Sequence, residues 1–163
     1  MSQMKDINLI IGLGNPSQEY EKTFHNMGHL FVDESFKFKV SSLKFLKTDC
    51  FMNKSGEFVK EILKKEKLKP DNLLVIHDDS DIELGKFKFS FGRNSAGHKG
   101  AQNIIDQLKT KNFWRLRIGI RPSFAKATEG QARPKADKLV LKKISSTQME
   151  VLEKVFKEAA KQL

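Results

Sequence analysis

Residues 7–28 read INLII, Ile7 to Ile11, followed by GLGNPSQEYEKTFHNMG, Gly12 to Gly28. The apolar run, interrupted only by Asn8, has the pattern of a buried strand. Gly12, Gly14, Asn15 and Pro16 mark a sharp turn at its end. In an open α/β sheet, ligands bind in the crevice beyond the carboxyl ends of the strands. A polar loop placed there, carrying Asn15, Tyr20, His25 and Asn26, is where chemistry is first expected. Histidine exchanges a proton near neutral pH, and asparagine hydrogen-bonds without titrating. The same stretch also fits a plain strand-to-loop turn with His25 capping the next helix, and spacing alone does not separate the two.

The periodicity of the remaining chain extends the α/β reading. Residues 26 to 38 suit a helix with Met27, Leu30, Phe31 and Phe38 on one face. Residues 43 to 52 suit an extended segment with Phe45, Lys47, Asp49 and Phe51 on one side. A helix then opens at Asn53, with Phe58, Val59, Ile62 and Leu63 at helical spacing and lysines at its C-terminal end, where the dipole favours cations. Leu73 to Ile76 is a short apolar run of the kind buried on both faces of a sheet. It hands over to His77-Asp78-Asp79-Ser80-Asp81. Residues 86 to 91, KFKFSF, alternate as a half-buried strand does. A loop of small residues, 92 to 100, leads into a helix carrying Ala101, Ile104, Ile105 and Leu108. Residues 114 to 120 alternate again. Residues 122 to 136 are turn-rich and predict a mobile surface loop. A last helix begins near Ser146 with a capping box from Thr147 to Glu150. The pattern predicts one α/β domain over residues 1–163, with a twisted mixed, largely parallel sheet flanked by helices.

With 163 residues, 39% hydrophobic and 31% charged, the chain can bury a real core. It has no apolar run long enough to cross a membrane and no signal-peptide pattern at its start. Its one cysteine, Cys50, rules out an internal disulfide and fits a reducing cytosol. The formal charge is +10, and it is concentrated: Gly85 to Lys126 holds ten basic side chains against Asp106 alone, a local +9. Such a concentration is the footprint of a polyanion, most simply a nucleic acid.

Three polar clusters therefore fall where strands hand over to loops: Asn15 with His25, Phe51 with Asn53, and Asp78. A histidine acting as a base needs an acceptor on its other ring nitrogen. A carboxylate after Ile76 could supply it, and asparagines could hold a water or an oxyanion. With no Gly-x-Ser-x-Gly elbow, the pattern favours activated water over a covalent intermediate. Each residue also has a plain role: Asn53 as a helix cap, Asp78 as a turn acid, His77 as its solvated neighbour, His29 and His98 as structural side chains.

The blocks Ile10-Ile-Gly-Leu-Gly-Asn-Pro16, Glu19-Tyr20 and His25-Asn26-x-Gly28 resemble the opening of the bacterial-type peptidyl-tRNA hydrolase family. Phe51-Met-Asn53-x-Ser-Gly56, Val75-Ile-His-Asp78-Asp-x-Asp81, Gly97-His-x-Gly100 and Arg115-Leu-Arg-Ile-Gly-Ile120 continue the resemblance in the family's order. It implies a hydrolase that cleaves the ester between a peptide and tRNA, recycling tRNA in the cytoplasm as a monomer without cofactor, metal or obligate protein partner. It places the general base at His25, its supporting aspartate at Asp78 and the water-positioning asparagine at Asn15. Tyr20, Phe51 and Asn53 fall on substrate-binding positions, and Arg117 falls in the region receiving tRNA backbone. Charge and placement add Lys86, Lys88 and Arg93 to that region. Lys99 stands where the family carries asparagine, a cation in place of a neutral substrate contact. The segment between His25 and Asn53 is shorter than usual, and residues 122 to 136 are unlike the family's lid-side loop. Two other readings are compatible with the clusters: a metal-dependent phosphoesterase or nuclease using His77, Asp78, Asp79 and Asp81, and an RNA-binding relative without catalysis.

Overall fold

A computed structural model describes residues 3–40, 42–123 and 135–163. Among the described residues five strands form one sheet: β1 (Leu9–Gly12), β2 (Lys44–Lys47), β3 (Leu73–Glu83), β4 (Phe87–Phe91) and β5 (Trp114–Arg121), in the order β2-β1-β3-β5-β4. All neighbours run parallel except the antiparallel edge pair β4–β5. The helices are α1 (Met27–Glu34), α2 (Ser55–Glu66), α3 (Lys99–Leu108), α4 (Ala136–Leu139) and α5 (Ser146–Ala160). The α/β architecture with a largely parallel sheet is as the sequence predicts.

Strand alternation sorts the core into two layers. Ile10, Leu74, Ile76, Leu116 and Ile118 face Met27 and Phe31 of α1 and Leu152, Val155 and Phe156 of α5. Leu9, Ile11, Leu73 and Val75 face Val59 and Leu63 of α2 and Ile104 of α3. Apolar side chains on both faces explain why β1 and the start of β3 read as continuous apolar runs.

Several boundaries differ from the sequence reading. The first helix is α-helical only to Glu34 and continues as a 3-10 turn over Ser35–Lys37. The extended segment shortens to Lys44–Lys47, so Phe51 lies outside the strand. β3 does not end at Ile76 but runs on to Glu83, placing His77, Asp78 and Asp79 within the strand. The capping box of α5 is Ser145 with Gln148, whose side chains exchange bonds with each other's backbone N–H. The surface loop expected at about 122–136 falls largely outside the described residues.

The glycines of the opening motif let the chain cross itself at close range. A Cβ on Gly28 would lie 2.2 Å from Leu13 N and 2.3 Å from Ile76 O, and one on Gly12 would lie 2.1 Å from Gly28 O. The start of α1 is thereby seated directly on the end of β1 and the middle of β3. Because the colliding atoms are backbone, no rotamer change relieves them. Gly28→Ala is expected to destabilise the fold by at least the 1–3 kcal/mol typical of overpacking, roughly. A thermal midpoint equal to that of the parent would contradict this packing.

Candidate active site

The turn Phe24–Asn26, immediately before α1, carries His25 to the middle of β3. Its backbone is fixed from two sides, by Asn26 N–H to Thr23 O (3.1 Å) and His25 N–H to Val140 O (2.8 Å). Asp78 shares the face of β3 that bears Ile76, and alternation points its side chain toward this turn. The two groups meet: His25 Nδ1 lies 3.0 Å from both oxygens of the Asp78 carboxylate, with Asp78 1% and His25 8% exposed. Nδ1–H donates to the carboxylate, which leaves Nε2 with the lone pair.

A third residue completes the cluster. His98, read from sequence as structural, lies 2.9 Å from Asp78 Oδ1 through Nε2, while its Nδ1 accepts the Ala101 N–H at 3.1 Å as the N-cap of α3. A nitrogen accepting a hydrogen bond carries no proton, so Nε2 is the protonated one and donates to Asp78. The carboxylate thus receives two imidazole N–H groups. Burial opposes its charge, but the attraction of His98 and the hydrogen bonds from His25 and His98 prevail and hold it well below the usual carboxylate range. The signals for His98 in the sequence were its place at a predicted helix start and in the Gly97-His-x-Gly100 block.

His77 is also not where its plain reading put it. It is fully buried, its ring tilted against that of His98 with centroids 4.2 Å apart, with Nδ1–H donating to Asp78 O (2.7 Å) and Nε2 accepting from Arg115 Nη1 (3.2 Å). Burial, with His98 and Arg115 adjacent, holds its pKa well below the ordinary histidine value, so it is neutral. Asp79 is paired with Arg117 Nε at 2.7 Å, and Asp81 is exposed. The four groups of the phosphoesterase reading therefore do not converge. Among the described residues, donor atoms of His25, Asp78 and His98 lie within 4.8 Å of one another. Their protons already occupy the space between them, and a cation bound to His98 Nε2 would need its Nδ1 released from Ala101. The donor set does not fit a resident metal.

Asn15 closes the other side. Its Oδ1 accepts the Met52 N–H at 2.7 Å, and its backbone is gripped by Asn26, whose Oδ1 accepts from Asn15 N (2.8 Å) and whose Nδ2 donates to Asn15 O (3.0 Å). With Oδ1 occupied, the Nδ2 amide is the end offered to the cavity. That cavity, of about 730 Å³, is lined by Asn15, Tyr20, His25, Phe51, Asn53, Asp78, His98 and Lys99, and by Val140 and Leu141. Tyr20 and Phe51 form an edge-to-face pair with centroids 6.3 Å apart. Asn53 and Lys99 are exposed at the rim, and Asn53 makes no side-chain cap to α2.

The basic residues divide. Lys88, Arg93 and Arg117 line a neighbouring cavity of about 670 Å³ that shares Ala96 with the first, and Lys86 lies on the surface 3.5 Å from Glu83. Arg115, counted from sequence within the basic stretch, is instead 2% exposed and presents no charge to a ligand.

Behind Asn15, the Thr48 hydroxyl donates to Gly14 O (3.2 Å) and accepts from Gly14 N–H (3.3 Å) and from His29 Nε2–H (3.0 Å). Burial, then the Lys47 charge, lowers His29 to about 4 against the opposing pull of Asp33 and Thr48. The unfolded chain takes up a proton near pH 6.5 that the folded chain refuses until about pH 4. Stability is therefore complete above pH 6.5 and falls as pH drops through this window, by up to about 3 kcal/mol from this group. Urea midpoints of His29→Gln should fall less over that range than those of the parent; an identical pH dependence would remove His29 from the account.

Comparisons with known proteins give the family of the chain. A family model described as peptidyl-tRNA hydrolase matches residues 9–163. The chain is 35% identical to the peptidyl-tRNA hydrolase of Aquifex aeolicus, covering 96% of this chain and 88% of that one. It is 38% identical to that of Mycoplasmopsis synoviae, covering 94% and 86%. Among solved structures it is similar to peptidyl-tRNA hydrolase from Acinetobacter baumannii, with TM-score 0.81 and 28% identity over 99% of this chain and 88% of that one. A likeness to the hydrogenase maturation protease HycI of Thermococcus kodakarensis, with TM-score 0.51 at 15% identity, is one of fold alone.

Proposed function

The chain belongs to the peptidyl-tRNA hydrolase family, and from that premise we propose how its residues carry out the hydrolysis. Water bound between His25 Nε2 and the Asn15 amide loses a proton to His25 and attacks the carbonyl of the ester linking a peptide, or an N-blocked aminoacyl group, to tRNA. The acyl C–O bond to the terminal ribose then breaks, and the His25 imidazolium returns its proton to the leaving ribose oxygen. Asp78 accepts from His25 Nδ1–H, fixing the tautomer that leaves Nε2 basic and stabilising the imidazolium formed as the proton arrives. The Asn15 Nδ2 donor, locked by Met52, orients the water or the developing oxyanion. The observation carrying this reading is the 3.0 Å approach of His25 to a buried carboxylate at the foot of an open cavity.

Tyr20, Phe51 and Asn53 at the mouth receive the peptidyl and terminal-nucleotide ends of the substrate. Lys99 brings a cation to the same rim, suited to a phosphate or carbonyl oxygen. Lys86, Lys88, Arg93 and Arg117 hold the tRNA backbone. The enzyme works as a one-domain cytoplasmic monomer that returns tRNA from prematurely released peptidyl-tRNA.

Release of N-blocked amino acid from N-blocked aminoacyl-tRNA in EDTA tests the reading directly. Turnover is expected to persist with the chelator; no release by the folded protein would sink it. Four phosphate contacts also predict that KM rises steeply with salt, by roughly ten- to a hundred-fold between about 50 and 200 mM. A KM indifferent to salt would take the basic cleft out of substrate binding.

A further inference from the structure

Arg115 is an interior cation for which the mechanism above has no use. It is 2% exposed, and the acid nearest in charge, Asp79, is already paired with Arg117. A buried guanidinium is costly unless its donors are satisfied. Here they meet neutral acceptors: Nη1 reaches His77 Nε2 (3.2 Å) and Ser95 O (3.4 Å), and Nη2 reaches Arg93 O (3.5 Å) and Asn94 O. Three of the four acceptors are consecutive carbonyls of one loop, the segment that delivers His98.

That segment needs holding. Between Ser95 and His98 the chain passes through two left-handed residues, Ala96 at φ 53° and Gly97 at φ 81°, the first an uncommon conformation for a residue with a Cβ. The turn closes through His98 N–H to Ser95 O at 3.1 Å, and that same carbonyl accepts from Arg115. The Ser95 hydroxyl, donating to Gln102 Oε1 at 2.8 Å, ties the turn to α3. Beneath it, His77 receives Arg115 on Nε2 and donates from Nδ1 to the Asp78 carbonyl, while its ring packs on His98. The guanidinium thus touches both the loop bearing His98 and the stretch of β3 bearing Asp78.

We infer that Arg115 is a positioning residue for the hydrolytic centre, fixing the loop 93–98 against His77 so that His98 Nε2–H reaches the Asp78 carboxylate and sets its orientation toward His25. Asp78 Oδ1 accepts from both imidazoles, so losing the His98 contact frees the carboxylate to rotate and loosens the base it orients. This role rests on the hydrolase reading and deepens it.

The test is a cycle of Arg115→Met, His98→Asn and the double variant, with Arg115→Lys in parallel. Asparagine retains an N-cap for α3 but lacks the Nε2–H donor. Each single change is expected to lower kcat by about 10- to 100-fold, the scale of a misplaced catalytic group, with KM within a few-fold. Because Arg115 acts through His98, the double variant should be no slower than His98→Asn alone. Multiplying losses, or parental kcat in folded Arg115→Met, would overturn the proposal. If Arg115→Met does not fold, Arg115→Lys decides: it keeps the charge but not the fork of donors, so parental kcat there refutes the inference. A readout free of turnover is the His98 Nε2–H resonance, expected to be protected in the parent and exchange-broadened in Arg115→Lys; an unchanged resonance counts against it. A parent that shows the protected resonance but hydrolyses no N-blocked aminoacyl-tRNA would instead indict the functional reading.

Discussion

His25→Ala is expected to lower kcat by about 10²–10⁴-fold, the usual contribution of a positioned general base, while KM moves little. The substitution removes Nε2, the ring nitrogen on the cavity left with a lone pair once Nδ1 has donated to Asp78. It leaves both core layers intact, since His25 belongs to neither. The backbone bond from His25 N to Val140 O also survives, so the turn before α1 keeps its place. Loss of rate should therefore come without loss of fold, visible as an unchanged far-UV spectrum and cooperative melting. A folded His25→Ala protein turning over within a few-fold of the parent would end the general-base mechanism.

Asp78→Asn is expected to be at least as damaging, about 10³–10⁴-fold in kcat, by the tautomer argument known for histidine–carboxylate pairs. The side chain keeps its shape but loses an acceptor. The carboxylate receives N–H groups from His25 and His98, whereas an amide has one oxygen and a nitrogen that donates. Set against His25 Nδ1, that nitrogen favours the tautomer with the proton on Nε2, which cannot take one from water. Set against His98, it breaks the contact that orients the group. Ring-nitrogen chemical shifts would show His25 changing tautomer or His98 losing its protected proton. Parental kcat in Asp78→Asn, or unaltered shifts on both rings, would refute this wiring.

Much of this molecule was legible from residue order. Leu9, Ile10 and Ile11 had to be a strand covered on both faces, because nothing else hides three consecutive apolar side chains in so short a run. The strict alternation of Lys86 to Phe91 marked a half-buried strand, and β4 is one, at the sheet edge with Lys88 exposed. The start of α5 near Ser146 was read correctly, but its capping box was displaced by two residues because Thr147-x-x-Glu150 satisfies the same pattern as Ser145-x-x-Gln148. The extended backbone of Ser145, with ψ 164°, selects the latter. β3 appeared to stop at Ile76 because polar residues follow. Pairing with β5 carries it on to Glu83, which turns a supposed loop acid, Asp78, into a strand residue buried on the α1 face.

What the sequence by itself determined was the inventory and its layers: which runs must be strands, which helices cover them, and which polar residues follow the apolar runs of β1 and β3. Those follow from local periodicity, a property each segment carries alone. The tertiary structure decided the protonation wiring. Whether His98 is a passive cap or a donor to Asp78, whether His77 is wet or buried, and whether Arg115 is surface charge or interior brace depend on which groups lie within about 3 Å once the sheet is assembled. Hydrogen-bond partners and burial are relations between segments, and no spacing within one segment encodes them.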